Sequence, residues 1–131
     1  MASQQTFLSL NSGFKIPQVG FGSFMPRLHE VENPVFWAID AGYRHIDCAR
    51  AYQNESDVGR ALSRQLDAGT VKREDLFITS KLWGDAHRLE DVRPACEESL
   101  RKLGLKYLDL YLIHFPVPFK VTSFHRLYTC S

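Results

Sequence analysis

Apolar and polar positions follow two periods along this chain, and the period changes several times. Near the N-terminus, two short alternating runs flank Asn11-Ser12-Gly13, which predicts a β-hairpin over residues 7–19. The next run, residues 19–24, is short, mostly apolar and contains two glycines. We interpret it as a buried strand whose glycines allow the backbone to approach its neighbours closely.

Three later segments have apolar residues at helical spacing and a glycine where the helix should stop. The first ends at Gly42, the second has Asn54 as its N-cap and ends at Gly69, and the third ends at Gly104. Pro34 is compatible with the first helix only in its first turn. The three apolar stripes are Val31, Val35, Ala38 and Ile39; Val58, Ala61, Leu62 and Leu66; and Val92, Cys96, Leu100 and Leu103.

A short apolar strand is predicted after each helix, over residues 43–48, 76–81 and 107–115. Such nearly continuous apolar runs are typical of parallel strands buried on both faces, and helical crossovers are what parallel pairing requires. The order β, α, β, α, β, α, β fits two α/β architectures, a doubly wound open sheet and part of a (β/α)₈ barrel.

Composition narrows the class of protein without indicating an activity. The 131 residues are 44% hydrophobic and 24% charged, which is typical of one globular domain. The formal net charge of +1 gives no reason to expect a nucleic acid or an anionic membrane as partner. We see no apolar run near the roughly 18 residues of a spanning helix and no signal-peptide pattern. Cys48, Cys96 and Cys130 lack CxxC spacing, so we expect free thiols in a cytoplasmic protein.

Four polar side chains follow the predicted strands. Asp47 ends one strand and Tyr52 lies in the loop after it, while Lys81 and His114 end the next two. Functional groups gather at the carboxyl ends of parallel strands, so we expect these four at one rim. Taken singly, each has an ordinary structural interpretation: a turn aspartate, a half-buried tyrosine, a surface lysine and a core histidine.

Together the four residue types suit the reduction of a carbonyl group. A phenol has a pKa of about 10, which a neighbouring ammonium lowers, and an aspartate keeps that ammonium charged and oriented. A neutral histidine donates an N–H to a carbonyl oxygen that gains negative charge. The hydride must then come from another group.

Two other kinds of site are not supported by the sequence. His45 and Asp47 alternate on a strand, but no Cys/His cluster has the spacing of metal ligands. Gly20-Phe21-Gly22 lacks the third glycine and the following helix start of a Rossmann dinucleotide site.

Three longer motifs resemble those of the aldo-keto reductases, and the resemblance extends over about residues 6–120. The motifs are Gly42-Tyr43-Arg44-His45-Ile46-Asp47-Cys48-Ala49 with Tyr52 and Asn54-Glu55, then Ile78-Thr79-Ser80-Lys81-Leu82-Trp83, then Tyr107-Leu108-Asp109-Leu110-Tyr111-Leu112-Ile113-His114-Phe115-Pro116. The resemblance implies an NADP(H)-dependent reductase of aldehydes and ketones on a (β/α)₈ barrel. This chain would be the N-terminal half of that barrel, preceded by a hairpin, with four parallel strands and three helices.

The resemblance also implies residue roles. Tyr52 would be the proton donor, Lys81 would lower its pKa, Asp47 would support Lys81, and His114 would orient the substrate carbonyl. The cofactor would contact Gly22, Ser23, Phe24 and Asp47, and the substrate would contact Phe24, Trp83 and His114. Phe24 stands where the family usually has tryptophan, which keeps an aromatic wall without the indole N–H. Arg50 would narrow or recharge the pocket.

The sequence also departs from the family's pattern. A (β/α)₈ barrel needs roughly 250 residues, and most of the family's cofactor contacts come from its second half. We predict a partial reductase domain over residues 1–120 and a tail, 121–131, that does not resemble the family. Two hypotheses follow: a reductase of small carbonyl compounds, or an inactive truncated form that associates through its exposed fourth strand or has no role. In either case we expect the chain alone to be marginally stable or to self-associate.

Overall fold

A two-stranded hairpin opens the fold, as the alternating pattern predicts. The structure is a computed structural model and describes residues 5–25 and 29–119. Strands β1 (Phe7–Ser9) and β2 (Lys15–Pro17) pair antiparallel, with Leu8 opposite Ile16. Gly13 in the connecting turn has φ +86°, a backbone conformation that glycine adopts without strain.

Four parallel strands form the main sheet, in the order in which they occur along the chain. They are β3 (Phe21–Gly22), β4 (His45–Asp47), β5 (Phe77–Leu82) and β6 (Leu110–Ile113). In a doubly wound sheet the strand order reverses at a switch point, whereas consecutive strands in a barrel are neighbours throughout. The order β3-β4-β5-β6 therefore favours the partial barrel over the open sheet.

Strand β3 corrects the expectation of a buried strand over residues 19–24. Only Phe21 and Gly22 are in the strand, Phe21 is half-buried, and Val19 is exposed. The reason is that β3 is an edge strand that pairs only with β4 in the described part of the chain. The close approach is confirmed at Gly20, where a Cβ atom would lie 2.7 Å from His45 Nδ1, but a Cβ at Gly22 would meet open space.

Three helices connect the parallel strands and pack side by side, α1 on α2 and α2 on α3. They are α1 (Glu32–Asp40), α2 (Glu55–Asp67) and α3 (Leu89–Leu103). Pro34 lies in the first turn of α1, as its missing N–H requires. The core joins helices and sheet through Val35, Ile39, Ile46, Val58, Leu62, Ile78 and Leu103.

The buried face of α3 is rotated slightly from the predicted stripe. It centres on Ala95, Ser99 and Leu103, while Val92, Cys96 and Leu100 are half-buried at its margins. The difference arises at Ser99, which is fully buried and donates a hydrogen bond to Glu55. A pattern of apolar residues does not include a buried serine, so it predicts a different face. Gly104 ends the helix with φ +70°, as predicted.

Cys48 is buried, Cys96 is half-buried, and both are free thiols. Burial, with a contribution from the Glu55 carboxylate, raises the pKa of the Cys48 thiol to about 12, so this thiol is not a nucleophile at neutral pH. Cys130 and the predicted tail 121–131 lie outside the described residues. Between residues 5 and 119, excluding 26–28, no helix is both long and apolar enough to cross a membrane.

Candidate active site

Lys81 and Asp47 form an ion pair at the carboxyl ends of β4 and β5. Lys81 Nζ donates hydrogen bonds to Asp47 Oδ1 at 2.7 Å and to the main-chain oxygen of Cys48 at 2.8 Å. The Lys81 side chain is only 11% exposed, and these two acceptors take the place of the water that an exposed ammonium would bind. The carbonyl of Cys48 has no signature in the sequence, because any residue supplies the same acceptor.

Tyr52 lies beside this ion pair. A 3₁₀ turn, Arg50–Tyr52, carries it, and Gln53 reverses the chain with φ +55°. Lys81 Nζ is 5.1 Å from the centre of the Tyr52 ring. The ammonium is thus within the range of a cation–π contact with the tyrosine ring.

His114 completes the predicted group of four. Its ring lies edge-on to Tyr52 at 5.5 Å and to Trp83 at 5.2 Å, measured between ring centres. The His114 main-chain N–H donates to Leu82 O at 3.0 Å, which continues the β5–β6 ladder beyond the strand. Burial, and then the Lys81 ammonium, hold the pKa of the His114 imidazole below its ordinary value, opposed by Asp47. The ring is therefore neutral at pH 7 and retains one N–H donor.

Ser23 and Phe24 lie beside these groups at the end of β3. The main-chain N–H of Ser23 donates to Asp47 O at 2.9 Å, and its carbonyl accepts from Asn54 Nδ2 at 2.8 Å. Phe24 is 62% exposed and lies edge-on to Tyr52, with 5.2 Å between ring centres. Gly22 and Phe24 are exposed beside the tyrosine, whereas Ser23 between them is fully buried.

Asn54 corrects one prediction. It occupies the N-cap position of α2, but its side chain makes no capping hydrogen bond. The amide group instead satisfies the carbonyl of Ser23 across the sheet end. An asparagine side chain can both donate and accept, and the sequence alone does not show which partner it takes.

Trp83 contacts a residue that the sequence analysis did not single out. Phe119 lies 5.3 Å from Trp83, measured between ring centres, and its N–H donates to Gly84 O at 2.7 Å. A Cβ atom at Gly84 would lie 2.8 Å from the Phe119 ring, so this packing requires a glycine there. The available sequence signal was an aromatic residue directly after Pro118.

Arg50 does not stand as an unpaired cation in the pocket. Its Nη1 donates to Asp85 Oδ1 at 2.9 Å, and its Nη2 is 3.5 Å from Glu98 Oε2. The guanidinium is thus paired with two carboxylates, of which Glu98 is shared with Lys102. The pairs also join the Tyr52 turn to the 3₁₀ turn Gly84–Ala86 and to α3.

No group of three or more His, Cys, Asp or Glu side chains is placed to hold a metal ion in the part of the chain that the structure describes. His45, which the sequence places near Asp47, bonds instead to Thr79 Oγ1 at 3.1 Å.

Comparison with known proteins gives one consistent family. The model of the Aldo/keto reductase family matches residues 26–123. The chain is 52% identical over 124 residues to aldo-keto reductase family 1 member C18 of Rattus norvegicus, covering 92% of this chain and 38% of the relative. It is 50% identical over 120 residues to the D/L-glyceraldehyde reductase of Hypocrea jecorina, covering 91% of this chain and 36% of the relative.

A solved structure agrees with these relatives. It is that of a Bombyx mori aldo-keto reductase in complex with NADP, 48% identical, with a TM-score of 0.87 over 91% of this chain and 41% of that one. The chain thus spans well under half the length of each of these three proteins. The family model covers most of the chain, and the relatives and the solved structure agree with it, so the chain belongs to the aldo/keto reductase family.

Proposed function

We propose that this chain supplies the acid–base groups of an NADP(H)-dependent reduction of aldehydes or ketones. The observation that carries the proposal is the position of the Lys81 ammonium, which is bonded to Asp47 and lies 5.1 Å from the Tyr52 ring. The neutral ring of His114 is also close to the phenol, 5.5 Å from Tyr52 between ring centres. Family membership supports the same reaction class.

Each side chain then has one task. Tyr52 gives its phenolic proton to the carbonyl oxygen as that oxygen gains negative charge. The Lys81 ammonium stabilises the phenolate that remains, and Asp47 holds the ammonium in place. An N–H of His114 donates to the same oxygen and orients it. When bound, the nicotinamide supplies the hydride for the carbonyl carbon.

The residues at the ends of β3 and β4 fit the nicotinamide end of NADP(H). The space above Gly22 is open, and the main chain of Ser23 is fixed by Asp47 and Asn54. The exposed ring of Phe24 supplies a flat apolar surface beside Tyr52. Phe24, Trp83 and His114 would contact the substrate. These residues form part of a cofactor site, in keeping with the share of the relatives that the chain spans.

The test is NADPH-dependent reduction of glyceraldehyde, a substrate class taken from the name of the Hypocrea jecorina relative. Tyr52→Phe should lower kcat by about 10²- to 10⁴-fold, because it removes the proton donor. Tyr107→Phe is the matched control, since Tyr107 stacks on Arg73 and loses the same hydroxyl. Equal rates for the two variants, or no turnover by the folded wild-type chain, would count against catalysis.

The surface of β6 favours a second candidate, a non-catalytic role through self-association. Leu112 and Ile113 in this strand are 41% and 67% exposed, and Phe115 just after it is 50% exposed. In the described residues, β6 is hydrogen-bonded only to β5, so its other edge is free to pair with another strand. Sedimentation velocity should show dimers or larger species, and Ile113→Lys should shift the population toward monomer. A wild-type chain that stays monomeric at micromolar concentration rules this role out.

A further inference from the structure

A buried carboxylate lies behind the candidate site, on the helix side of the sheet. Glu55 is 1% exposed, and its two oxygens accept hydrogen bonds from different elements. Ser80 Oγ donates to Oε1 at 2.7 Å, and Ser99 Oγ donates to Oε2 at 3.1 Å. Both serines are fully buried. Because a buried carboxylate is costly without such donors, all three side chains must be ordered together.

Two residues of this buried group, Ser80 and Glu55, are close in sequence to residues of the candidate site. Successive side chains of a strand point to opposite faces of the sheet. Ser80 therefore points to the face covered by the helices, and Lys81 points to the opposite face, where the candidate site lies. Glu55 is the first residue of α2 and follows Tyr52 by three positions. The Glu55–Ser80 hydrogen bond therefore joins the backbone that carries Lys81 to the backbone that carries Tyr52.

Asn54, the residue before Glu55, makes a similar connection to the end of β3. Asn54 Nδ2 bonds to the carbonyl of Ser23 at the end of β3, 2.8 Å away. The dipeptide Asn54-Glu55 thus fixes the chain directly after Tyr52 to β3 and to β5. The tyrosine is on a short turn between β4 and α2, and a turn of this kind needs such restraints to stay in one position.

We propose that Glu55 is a positioning residue, and that its hydrogen bond to Ser80 sets the distance between Lys81 and Tyr52. It contacts neither substrate nor cofactor and acts only through the backbone of β5 and the start of α2. An effect of Glu55 on turnover rests on the proposed function, whereas its effect on the position of Lys81 does not.

The two serines offer a matched comparison. Ser80→Ala and Ser99→Ala each remove one hydroxyl donor from the same carboxylate and leave a similar void. Only Ser80 is adjacent to Lys81, while Ser99 is on α3. A merely structural role for Glu55 predicts equal effects of the two changes, and a positioning role predicts unequal ones.

The experiment follows the imidazole titration of His114 by NMR in the full chain. The Lys81 ammonium lowers the pKa of His114, so a displaced ammonium raises it toward the ordinary value. Ser80→Ala should raise the pKa of His114, and Ser99→Ala should leave it at the wild-type value. Where the wild-type chain turns over glyceraldehyde, Ser80→Ala should also lower kcat about tenfold with KM unchanged.

Equal His114 titrations in the two variants would overturn the positioning role, whether or not the chain is active. Absence of wild-type turnover would instead count against the proposed function, and the titration still decides the role of Glu55. If Ser80→Ala fails to fold, Ser80→Cys replaces it in the comparison, because it has the same side-chain connectivity and donates only weakly. A Ser80→Cys titration equal to that of Ser99→Ala overturns the proposal as well.

Discussion

Replacing Gly59 by alanine tests how closely α2 and α3 pack. Gly59 is a buried residue of α2, and a Cβ atom built there would lie 2.6 Å from Lys102 O and 2.9 Å from Leu103 C. Both contacts are with main-chain atoms at the end of α3, which cannot turn aside as a flexible side chain can. Ordinary contacts of a Cβ atom are 3.4–4 Å, so the helices must move apart by several tenths of an ångström.

Two effects of opposite sign decide the result. Alanine is favoured over glycine inside a helix by about 0.8–1.0 kcal/mol, which on its own would stabilise the variant. Overpacking against a fixed backbone costs about 1–3 kcal/mol, and displacement of α3 also disturbs the packing of the fully buried Leu103. Because the close contacts at 2.6 and 2.9 Å are with main-chain atoms, we take the overpacking cost from the upper half of its range, about 2–3 kcal/mol. We therefore expect Gly59→Ala to lower the free energy of unfolding by about 1–2 kcal/mol.

Urea denaturation followed by circular dichroism measures this change, with Ser63→Ala as the matched control. Ser63 is an exposed residue of the same helix whose hydroxyl donates to Asp67 one turn later, so its variant should stay within about 0.5 kcal/mol of the wild type. If Gly59→Ala is as stable as the wild type or more stable, the helices do not approach as closely as the structure places them.

Two further predictions concern the sheet and its histidines. Asp109 Oδ2 accepts hydrogen bonds from the N–H of Ile78 at 2.8 Å and from Arg73 Nη2 at 2.7 Å. Asp109→Asn should therefore lower the urea midpoint by an amount that corresponds to about 1–2 kcal/mol of unfolding free energy. An unchanged midpoint would contradict the stabilising role of these two hydrogen bonds. Burial lowers the pKa of both His114 and His45 in the folded state, so the unfolded chain binds more protons below neutral pH. Stability should therefore be full above about pH 6.5 and decline as the pH falls toward about 5, above the range where most carboxylates titrate. The decline should be smaller in His114→Gln, and an equal decline in both proteins would contradict the assignment.

Local signals in the sequence were sufficient for the order and type of the elements. A glycine with positive φ ends the hairpin turn at Gly13 and the third helix at Gly104, and in both places the sequence prediction is confirmed. Helical and strand periods are properties of neighbouring residues, so they survive without knowledge of the fold. The sequence also places Asp47, Lys81 and His114 near strand ends and Tyr52 in the loop after β4, and the structure brings these four side chains close together.

Long-range partners were beyond the reach of those signals. The pattern of strands and helices alone left an open sheet and a partial barrel as alternatives, and the resemblance to the aldo-keto reductases implied the barrel. The pairing of consecutive strands agrees with the barrel. The sequence predicts that Asn54 caps a helix, yet its side chain donates a hydrogen bond to the carbonyl of Ser23, 31 positions earlier. The pairing of Arg50 with Asp85 and Glu98 likewise depends on elements brought together by the fold.

The sequence by itself determined which residues could perform acid–base chemistry, because their types and their places after strands are local facts. Tertiary structure decided how they are held. Lys81 is bonded to Asp47 and to the Cys48 carbonyl, and β5, the strand that carries Lys81, is bonded to Glu55 through Ser80. The physical reason is that a hydrogen bond depends on distance and angle between groups far apart in the chain, and a pattern of residue types along the chain does not encode them.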